Sequence, residues 1–280
     1  MAQPLGIIAG GGVLPARVAA AAQALGRAVF IVGLEGHADP HVLAPFPHQV
    51  IRLGAAGSIA GALRAHGCAE LVLIGPVKRP SLLALRPDAL GAKLLARVGR
   101  AAFGGDDTLL ATVIKVLGEE GFQVLGAHEI LGDTLGPIGL LTRQGPDAVD
   151  RADIARAVSV LRILGAADVG QACVVQQGLV LAVEAIEGTD AMLARAGRLK
   201  RDGAGGVLVK LLKPGQDRRA DLPTLGVATI TGLIEAGLRG LAFDAGNTIL
   251  MDRSLMIEAA DQAGLFLLGI DPARAEWQNS

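Results

Sequence analysis

Short apolar runs, separated by segments with helical periodicity, constrain the fold of this 280-residue chain more than any other feature. Runs of this length between helices are typical of a parallel sheet that is covered by helices on both faces. The first half therefore predicts a doubly wound, Rossmann-like α/β domain over residues 1–132. Its predicted strands are Leu5–Ala9, Ala28–Gly33, Gln49–Leu53, Glu70–Gly75 and Phe122–Leu125.

Glycines and prolines are concentrated between Leu131 and Pro146, which predicts a linker or hinge over residues 133–149. Beyond it, a helical pattern is followed by two strands around a Gln177-Gly178 turn and by further helix and strand patterns. This order predicts a second α/β domain with a mixed sheet over residues 150–280.

Composition and charge exclude several classes of protein. The formal net charge is −1, and aromatic residues make up 2% of the chain with no Tyr, so neither charge nor base stacking favours nucleic-acid binding. No apolar run approaches the length of about 18 residues that a membrane span requires. Cys68 and Cys173 lack metal-ligand spacing and are predicted to be buried thiols of a reducing compartment. The amino terminus has no basic region of a signal peptide, so we expect a cytoplasmic protein.

The loop from Lys213 to Thr229 is the most informative local feature. Its first nine residues carry one Lys, two Arg, two Asp and a Gln, with Pro214 and Pro223 near the ends of the charged stretch. Charges on a stiff strand-to-helix loop are well placed to bind an anionic group and a metal ion. The alternative is a solvated surface turn. The two prolines and the acids set between bases favour a site.

Glycines 10–12 and Val13 lie between the first predicted strand and a helix. Backbone N–H groups in such a loop can face a phosphate or a nucleobase. The loop is a poor dinucleotide fingerprint, because Pro15 takes the place of the third glycine. In addition, the second predicted strand ends at Gly33 without an acidic residue that would hold a ribose. A nucleotide-contacting loop and a plain tight turn therefore both stay open.

Other candidates lie at predicted strand ends and helix starts. Gly75 and Lys78-Arg79 follow a strand at the sheet edge where open α/β sheets bind ligands, and the two cations either contact a diphosphate or are solvated. Asp106 and Asp107 open a helix, so one of them is expected to be an N-cap. His128 directly follows a strand and is either a hydrogen-bonded core residue or part of a site.

Glu187, Thr189 and Asp190 lie where a strand ends and a helix begins. Thr189 suits an N-cap, and Asp190 suits the first turn, where an acid interacts favourably with the helix dipole. Those roles leave Glu187 without an explanation. Three oxygen donors close to the charged loop predict a site for Mg²⁺.

Seven motifs occur together in one order along the chain. They are Gly10-Gly-Gly-x-Leu-Pro15, Gly75-x-Val-x-Arg-Pro80, Gly105-Asp-Asp107, Gly126-Ala-His-Glu129, Glu184-Ala-x-Glu-Gly-Thr-Asp190, Lys213-Pro-x-Gln216 and Asp221-Leu-Pro-Thr-x-Gly-Val-x-Thr229. This set resembles the LpxI-type UDP-2,3-diacylglucosamine pyrophosphatases of lipid A biosynthesis. The resemblance runs essentially from end to end, and seven motifs in register are specific although each alone is weak.

The resemblance implies a hydrolase of Gram-negative bacteria that depends on Mg²⁺. It would split UDP-2,3-diacylglucosamine into UMP and 2,3-diacylglucosamine 1-phosphate, known as lipid X, in a cleft between two domains. Asp221 is implied as the catalytic residue. Asp221 and Asp190 are the candidate metal ligands, since Mg²⁺ prefers oxygen donors. Because the candidate donors are carboxylates, Mn²⁺ is expected to substitute for Mg²⁺. The implied substrate-binding residues are Gly11, Gly12, Val13, Gly75, Lys78, Arg79, Asp107, His128, Glu187, Thr189, Asp190, Lys213, Gln216, Arg219 and Thr224.

Hydrolysis of a diphosphate needs charge neutralisation, an in-line water and an anionic leaving group. Asp221 would either bind Mg²⁺ or orient the water. We expect no nucleic-acid partner and at most peripheral contact with the inner membrane, while the oligomeric state, including a homodimer, stays open. Two other classes remain at this stage: a nucleotide-sugar oxidoreductase that uses the same amino-terminal loop, and a non-catalytic lipid- or nucleotide-binding protein.

Overall fold

The computed structural model describes residues 2–78, 85–98 and 106–274. The chain divides into two compact units. Unit 1 comprises the residues up to Asp133 together with the short segment Asp217–Asp221, and unit 2 comprises Thr134–Gln216 and the residues from Leu222 onward. The charged loop predicted from the sequence is therefore shared between the two units.

Unit 1 is built around a parallel five-stranded sheet with the order β3-β2-β1-β4-β5. Its elements are β1 (Leu5–Ala9), α1 (Leu14–Ala24), β2 (Val29–Leu34), α2 (Pro40–Leu43), β3 (His48–Ile51), α3 (Ala56–Ala65), β4 (Glu70–Ile74), α4 (Ala89–Val98), α5 (Asp106–Glu119), β5 (Gln123–Leu125) and α6 (Ala127–Leu131). The chain order reverses between β1 and β4, which is the switch point of a doubly wound sheet. The predicted Rossmann-like fold is confirmed.

Unit 2 contains a mixed six-stranded sheet with the order β6-β13-β11-β9-β7-β8. Its elements are β6 (Gly139–Leu140), α7 (Ala148–Ala166), β7 (Ala172–Gln176), β8 (Leu179–Val183), α8 (Gly188–Arg198), β9 (Val207–Lys210), β10 (Thr224–Leu225), α9 (Val227–Glu235), β11 (Gly240–Asp244), β12 (Ile249–Leu250), α10 (Arg253–Ala263) and β13 (Phe266–Ile270). Strands β9, β11 and β13 are parallel, whereas β6, β7 and β8 each run antiparallel to a neighbour. The separate pair β10-β12 is parallel.

Alternating residues of the central strands place a hydrophobic cluster on each face of the unit 2 sheet. Leu208 belongs to a cluster with residues of α8, α9 and α10, whereas Val207 and Val209 pack with residues of α7. A strand buried on both faces is expected to read as a continuous apolar run, and β9 does so until Lys210. Cys173 lies in the second cluster, where burial raises the pKa of its thiol to about 12.

The structure differs from the sequence prediction at two places. Most of the segment 133–149 that was predicted as a linker lies in unit 2, because Gly139–Leu140 forms β6 and pairs with β13. Strand β2 extends to Leu34, so Glu35 directly follows it, which corrects the expectation that no acidic residue ends this strand. Among the described residues, no helix is long and apolar enough to cross a membrane.

Candidate functional site

The glycine loop of unit 1 lies against the loop that follows β4. Gly10 N–H donates to the carbonyl of Ile74 at 2.9 Å, and Gly11 N–H donates to the carbonyl of Pro76 at 2.9 Å. A Cβ at Gly10 would lie 2.3 Å from the carbonyl oxygen of Gly75, and Gly75 itself has φ +97°. Glycine is required here because two main chains pack directly on each other.

Helix α1 begins immediately after this loop, at the carboxyl edge of the parallel sheet. Gly12 has φ +76°, and a Cβ there would have no described atom within 4 Å. Val13, at the N-cap position, is 61% exposed, and no side chain of the described residues caps the helix. The open start of α1 therefore lies at the switch point, where Rossmann-like sheets bind ligands and helix N-termini favour anions. The predicted residues Gly11, Gly12, Val13 and Gly75 are brought together.

Three side chains lie at the same edge of unit 1. Lys78 was predicted from the sequence, whereas Glu35 and His37 were not. Lys78 N–H donates to His37 Nδ1 at 3.3 Å. Glu35 is exposed at the end of β2, in the position that holds a ribose hydroxyl in dinucleotide-binding folds. An acid that follows the second strand is visible in the sequence, but the strand was predicted to end at Gly33 and it ends at Leu34. Arg79 lies outside the described residues, as does the side chain of Asp107.

His128 lies on α6 next to the carboxyl end of β5. A Cβ at Gly126 would lie 2.3 Å from His128 Cε1, so glycine leaves room for the imidazole. Among the described residues, buried His128 Nδ1 has no hydrogen-bond partner. Burial lowers the pKa of His128, Glu129 raises it, and the charge of Arg218 lowers it again. On balance the pKa of His128 is lowered, which favours the neutral imidazole.

The segment Asp217–Asp221 carries the predicted catalytic residue into unit 1. Arg219 Nε and Nη2 donate to the two carboxylate oxygens of Asp217 at 2.9 and 2.7 Å. This pairing lowers the pKa of Asp217 and raises that of Arg219. Asp221 N–H donates to the Asp217 carbonyl at 3.1 Å, which closes a turn. Arg219 is thus engaged by Asp217, and Asp221 lies in the same unit as the glycine loop and His128.

Lys213 and Gln216, in the unit 2 part of the loop, support the local structure. Lys213 Nζ forms an ion pair with Asp168. Gln216 is buried, and its Oε1 accepts the backbone N–H of Lys213 at 3.0 Å. These bonds hold the start of the loop against the segment that follows α7. A role of either side chain in substrate binding stays a prediction.

A buried polar network lies at the carboxyl edge of the unit 2 sheet. Lys210 Nζ donates to Thr189 Oγ1 at 2.9 Å and lies 3.5 Å from the carbonyl oxygen of Thr224. Thr189 Oγ1 donates to Glu184 Oε1 at 2.5 Å. The expected N-cap role of Thr189 is wrong, because α8 begins at Gly188 and the Thr189 hydroxyl turns back to Glu184. Lys210 was missed because a single Lys at the end of an apolar run resembles a strand boundary.

Glu187 and Asp190 lie close to Thr189 in the chain, and their side chains have different surroundings. Glu187 Oε1 accepts from Arg195 Nη2 at 2.6 Å, and hydrogen bonds from its own N–H and from Arg195 lower its pKa. Asp190 is exposed on α8 and lines a groove of about 640 Å³ beside α9. Within the described part of the chain, no three acids, His or Cys residues converge on a point suited to a metal ion. Glu187 and Thr189 each have a side-chain partner within unit 2, and the grouping of Glu187, Thr189 and Asp190 around Mg²⁺ stays a prediction.

The two sheets define a two-domain α/β protein, in which a Rossmann-like domain precedes a domain with a mixed sheet. Comparison with family models matches residues 4–134 to the LpxI N-terminal domain and residues 137–268 to the LpxI C-terminal domain. A relative from Caulobacter vibrioides, UDP-2,3-diacylglucosamine pyrophosphatase LpxI, is 46% identical over 274 residues, which cover 96% of this chain and 98% of the relative. The chain belongs to the LpxI family.

Among solved structures, a UDP-glucose-4-epimerase from Stenotrophomonas maltophila with bound NAD and formylated UDP-arabinopyranose matches 99% of this chain and 98% of its own. The TM-score is 0.30 and the sequence identity 13%, so this likeness carries no argument about fold or function.

Proposed function

We propose that this protein hydrolyses the diphosphate of UDP-2,3-diacylglucosamine, giving UMP and 2,3-diacylglucosamine 1-phosphate, in lipid A biosynthesis. The observation that carries the proposal is the match of both LpxI domains, together with 46% identity to the Caulobacter pyrophosphatase over nearly the whole chain. The sequence around Asp221 adds support, because an acid in a cationic loop is suited to diphosphate hydrolysis.

Unit 1 has the features that a nucleoside diphosphate needs. The open start of α1 offers backbone N–H groups to phosphate oxygens, and Lys78 lies beside it. Glu35, at the end of β2, is placed for a ribose hydroxyl. Phosphoryl transfer depends mainly on positioning and charge stabilisation, which are the contributions that this edge supplies. We assign the nucleotide half of the substrate to unit 1 on these grounds.

Asp221 is the proposed catalytic residue, acting on the attacking water. It belongs to unit 1 with the glycine loop, on a turn closed by its own N–H. His128 Nδ1 is buried without a hydrogen-bond partner among the described residues, and we propose a substrate group as its partner. His128 therefore serves as a binding residue in this proposal, and Arg218 and Arg219 add positive charge around the diphosphate.

Mg²⁺ is the proposed cofactor, with Mn²⁺ as a substitute. Mg²⁺ in proteins is often held by one or two carboxylates together with substrate phosphates, so a three-residue cluster is not required. The Asp221 carboxylate fits this donor chemistry, and Asp190 stays the predicted second ligand. When bound, the ion would neutralise charge on the diphosphate.

Mass spectrometry of the purified full-length protein incubated with UDP-2,3-diacylglucosamine and Mg²⁺ tests the proposal. We expect UMP and 2,3-diacylglucosamine 1-phosphate in equal amounts. In ¹⁸O-labelled water, the product that carries the label, UMP or 2,3-diacylglucosamine 1-phosphate, identifies the phosphorus that water attacks. Binding without turnover would instead indicate a carrier, and turnover only with an added nicotinamide cofactor would indicate an oxidoreductase.

We also propose that the protein acts in the cytoplasm and meets its lipid substrate by peripheral contact with the inner membrane. The substrate carries two acyl chains, and such lipids reside at the membrane surface. Fractionation of cells, followed by washing of the membranes with salt, tests this location.

A further inference from the structure

Lys210 is a buried cation at the carboxyl edge of the unit 2 sheet. It lies on the same face of β9 as Leu208, because side chains two residues apart share a face, and this face packs against α8 and α9. Lys210 is 6% exposed, and Glu184 at the end of β8 is 7% exposed. A buried charge requires compensation, and Thr189 links these two opposite charges.

The hydrogen-bond capacity of Thr189 follows from its two partners. An ammonium group only donates, and an ionised carboxylate only accepts. Thr189 must therefore give its single hydroxyl hydrogen to Glu184 and accept from Lys210. A hydroxyl has one donor and two acceptor sites, so one acceptor site of Thr189 is left and no donor.

We propose that Lys210 is a positioning residue that fixes the Thr189 hydroxyl as an acceptor, so that it binds a donor group of the substrate. Phosphate oxygens of a diphosphate diester are acceptors and gain nothing from such a hydroxyl. The acylated sugar carries suitable donors: its free hydroxyls and its amide N–H. The inference rests on the proposed function and assigns the Thr189 hydroxyl to the sugar and not to the phosphates.

The location of the network supports this assignment. No side chain of the described residues caps α8, since Glu187 at the N-cap position pairs with Arg195 instead. The exposed start of α8 therefore lies beside Thr189 at the carboxyl edge, where α/β sheets bind ligands. Lys210 also approaches the Thr224 carbonyl, so one side chain orders two predicted binding positions.

Binding of two probes to the full-length protein tests the proposal: UDP, which lacks the sugar, and 2,3-diacylglucosamine 1-phosphate, which carries it. We expect Thr189→Val to weaken binding of the lipid sugar phosphate about tenfold, the effect of one lost hydrogen bond that leaves a group unpaired. Binding of UDP stays unchanged. Thr189→Ser retains the hydroxyl and is the matched control, with nearly normal binding of both probes.

Lys210 needs a paired variant, because removing it alone leaves Glu184 buried and uncompensated. Lys210→Met with Glu184→Gln keeps the shapes and removes both charges. We expect this pair to retain a cooperative thermal transition yet to weaken binding of the lipid sugar phosphate by a similar factor. Adding Thr189→Val to the pair should cause no further loss, because both changes remove one interaction.

Three results would each overturn the inference: equal loss of UDP and lipid sugar phosphate binding, normal binding by the charge-neutral pair, or additive losses. These results leave the proposed function intact whenever the wild-type protein hydrolyses UDP-2,3-diacylglucosamine. A wild-type protein that neither hydrolyses this substrate nor binds its lipid product would overturn both.

Discussion

The protonation state of His128 is set by its immediate surroundings. Burial is the largest cause of its lowered pKa. The charge of Glu129 raises the pKa, and the charge of Arg218 lowers it further. The unfolded chain therefore binds more protons than the folded one just below pH 6.5, the ordinary pKa of His. The contribution of His128 to stability is present above that pH and is lost as the pH falls through the folded pKa.

Removing the charge of Arg218 should raise the pKa of His128, because the imidazolium form would no longer be repelled. We expect Arg218→Ala to move the His128 titration midpoint upward in an NMR titration. Glu129→Gln should move it downward, and Gln retains the capping bond to Gly126 N–H. The other histidines serve as internal controls. An unchanged midpoint in both variants would contradict the placement of these charges around His128.

Asp221→Ala should abolish turnover in a protein that still folds and binds substrate. A positioned acid contributes about 10²–10⁴-fold to rate, and loss of a metal ligand adds to this effect. The partly exposed side chain of Asp221 does not contribute to a hydrophobic cluster, so the thermal transition should move little. Product formation is measured by mass spectrometry, with exposed Asp202→Asn as the control. Near-normal turnover of folded Asp221→Ala would remove Asp221 from the mechanism.

At the scale of elements, β1, β2 and β4 could be predicted because each is a short apolar run bounded by turn residues. The two-residue strands β6 and β10 could not, since two residues show no periodicity. The polar network of Lys210, Thr189 and Glu184 could not be predicted from the sequence either. Thr189 and Lys210 are 21 positions apart and meet only because the sheet places β7 between β8 and β9.

Extension of β2 to Leu34 leads to a prediction about nucleotide recognition. Glu35 then occupies the position from which an acid accepts a ribose 2′-hydroxyl. We expect the Glu35→Gln variant to bind UDP more weakly than the wild-type protein does. This variant should bind UDP and 2′-deoxy-UDP with equal affinity. The wild-type protein should prefer UDP about tenfold, as one hydrogen bond to a charged group would give. Asp39→Asn removes a nearby charge while keeping the N-cap of α2, and should retain the preference. A preference for UDP that survives Glu35→Gln would exclude this role.

At the scale of the whole molecule, the proposed metal donors are carboxylates. Both Cys residues are buried, and Asp221 and Asp190 are the proposed ligands. Activity should therefore disappear after exhaustive EDTA treatment and return with Mg²⁺ or Mn²⁺, because these ions prefer oxygen ligands. Zinc-selective chelators should have no effect. The measurement is the rate of UMP release, and full activity after EDTA treatment would exclude a metal role.

Each half of the chain is expected to fold alone, whereas hydrolysis is expected to need both halves. Each unit has its own hydrophobic clusters, so residues 1–133 and residues 134–280 should each fold when expressed alone. The first fragment has the glycine loop but lacks Asp221, whereas the second has Asp221 but lacks the glycine loop. We therefore expect two cooperative thermal transitions and no hydrolysis by either fragment, with the intact chain as the control. Hydrolysis by one fragment alone would show that the other unit supplies nothing essential and would contradict the assignment of the nucleotide to unit 1 or of catalysis to Asp221.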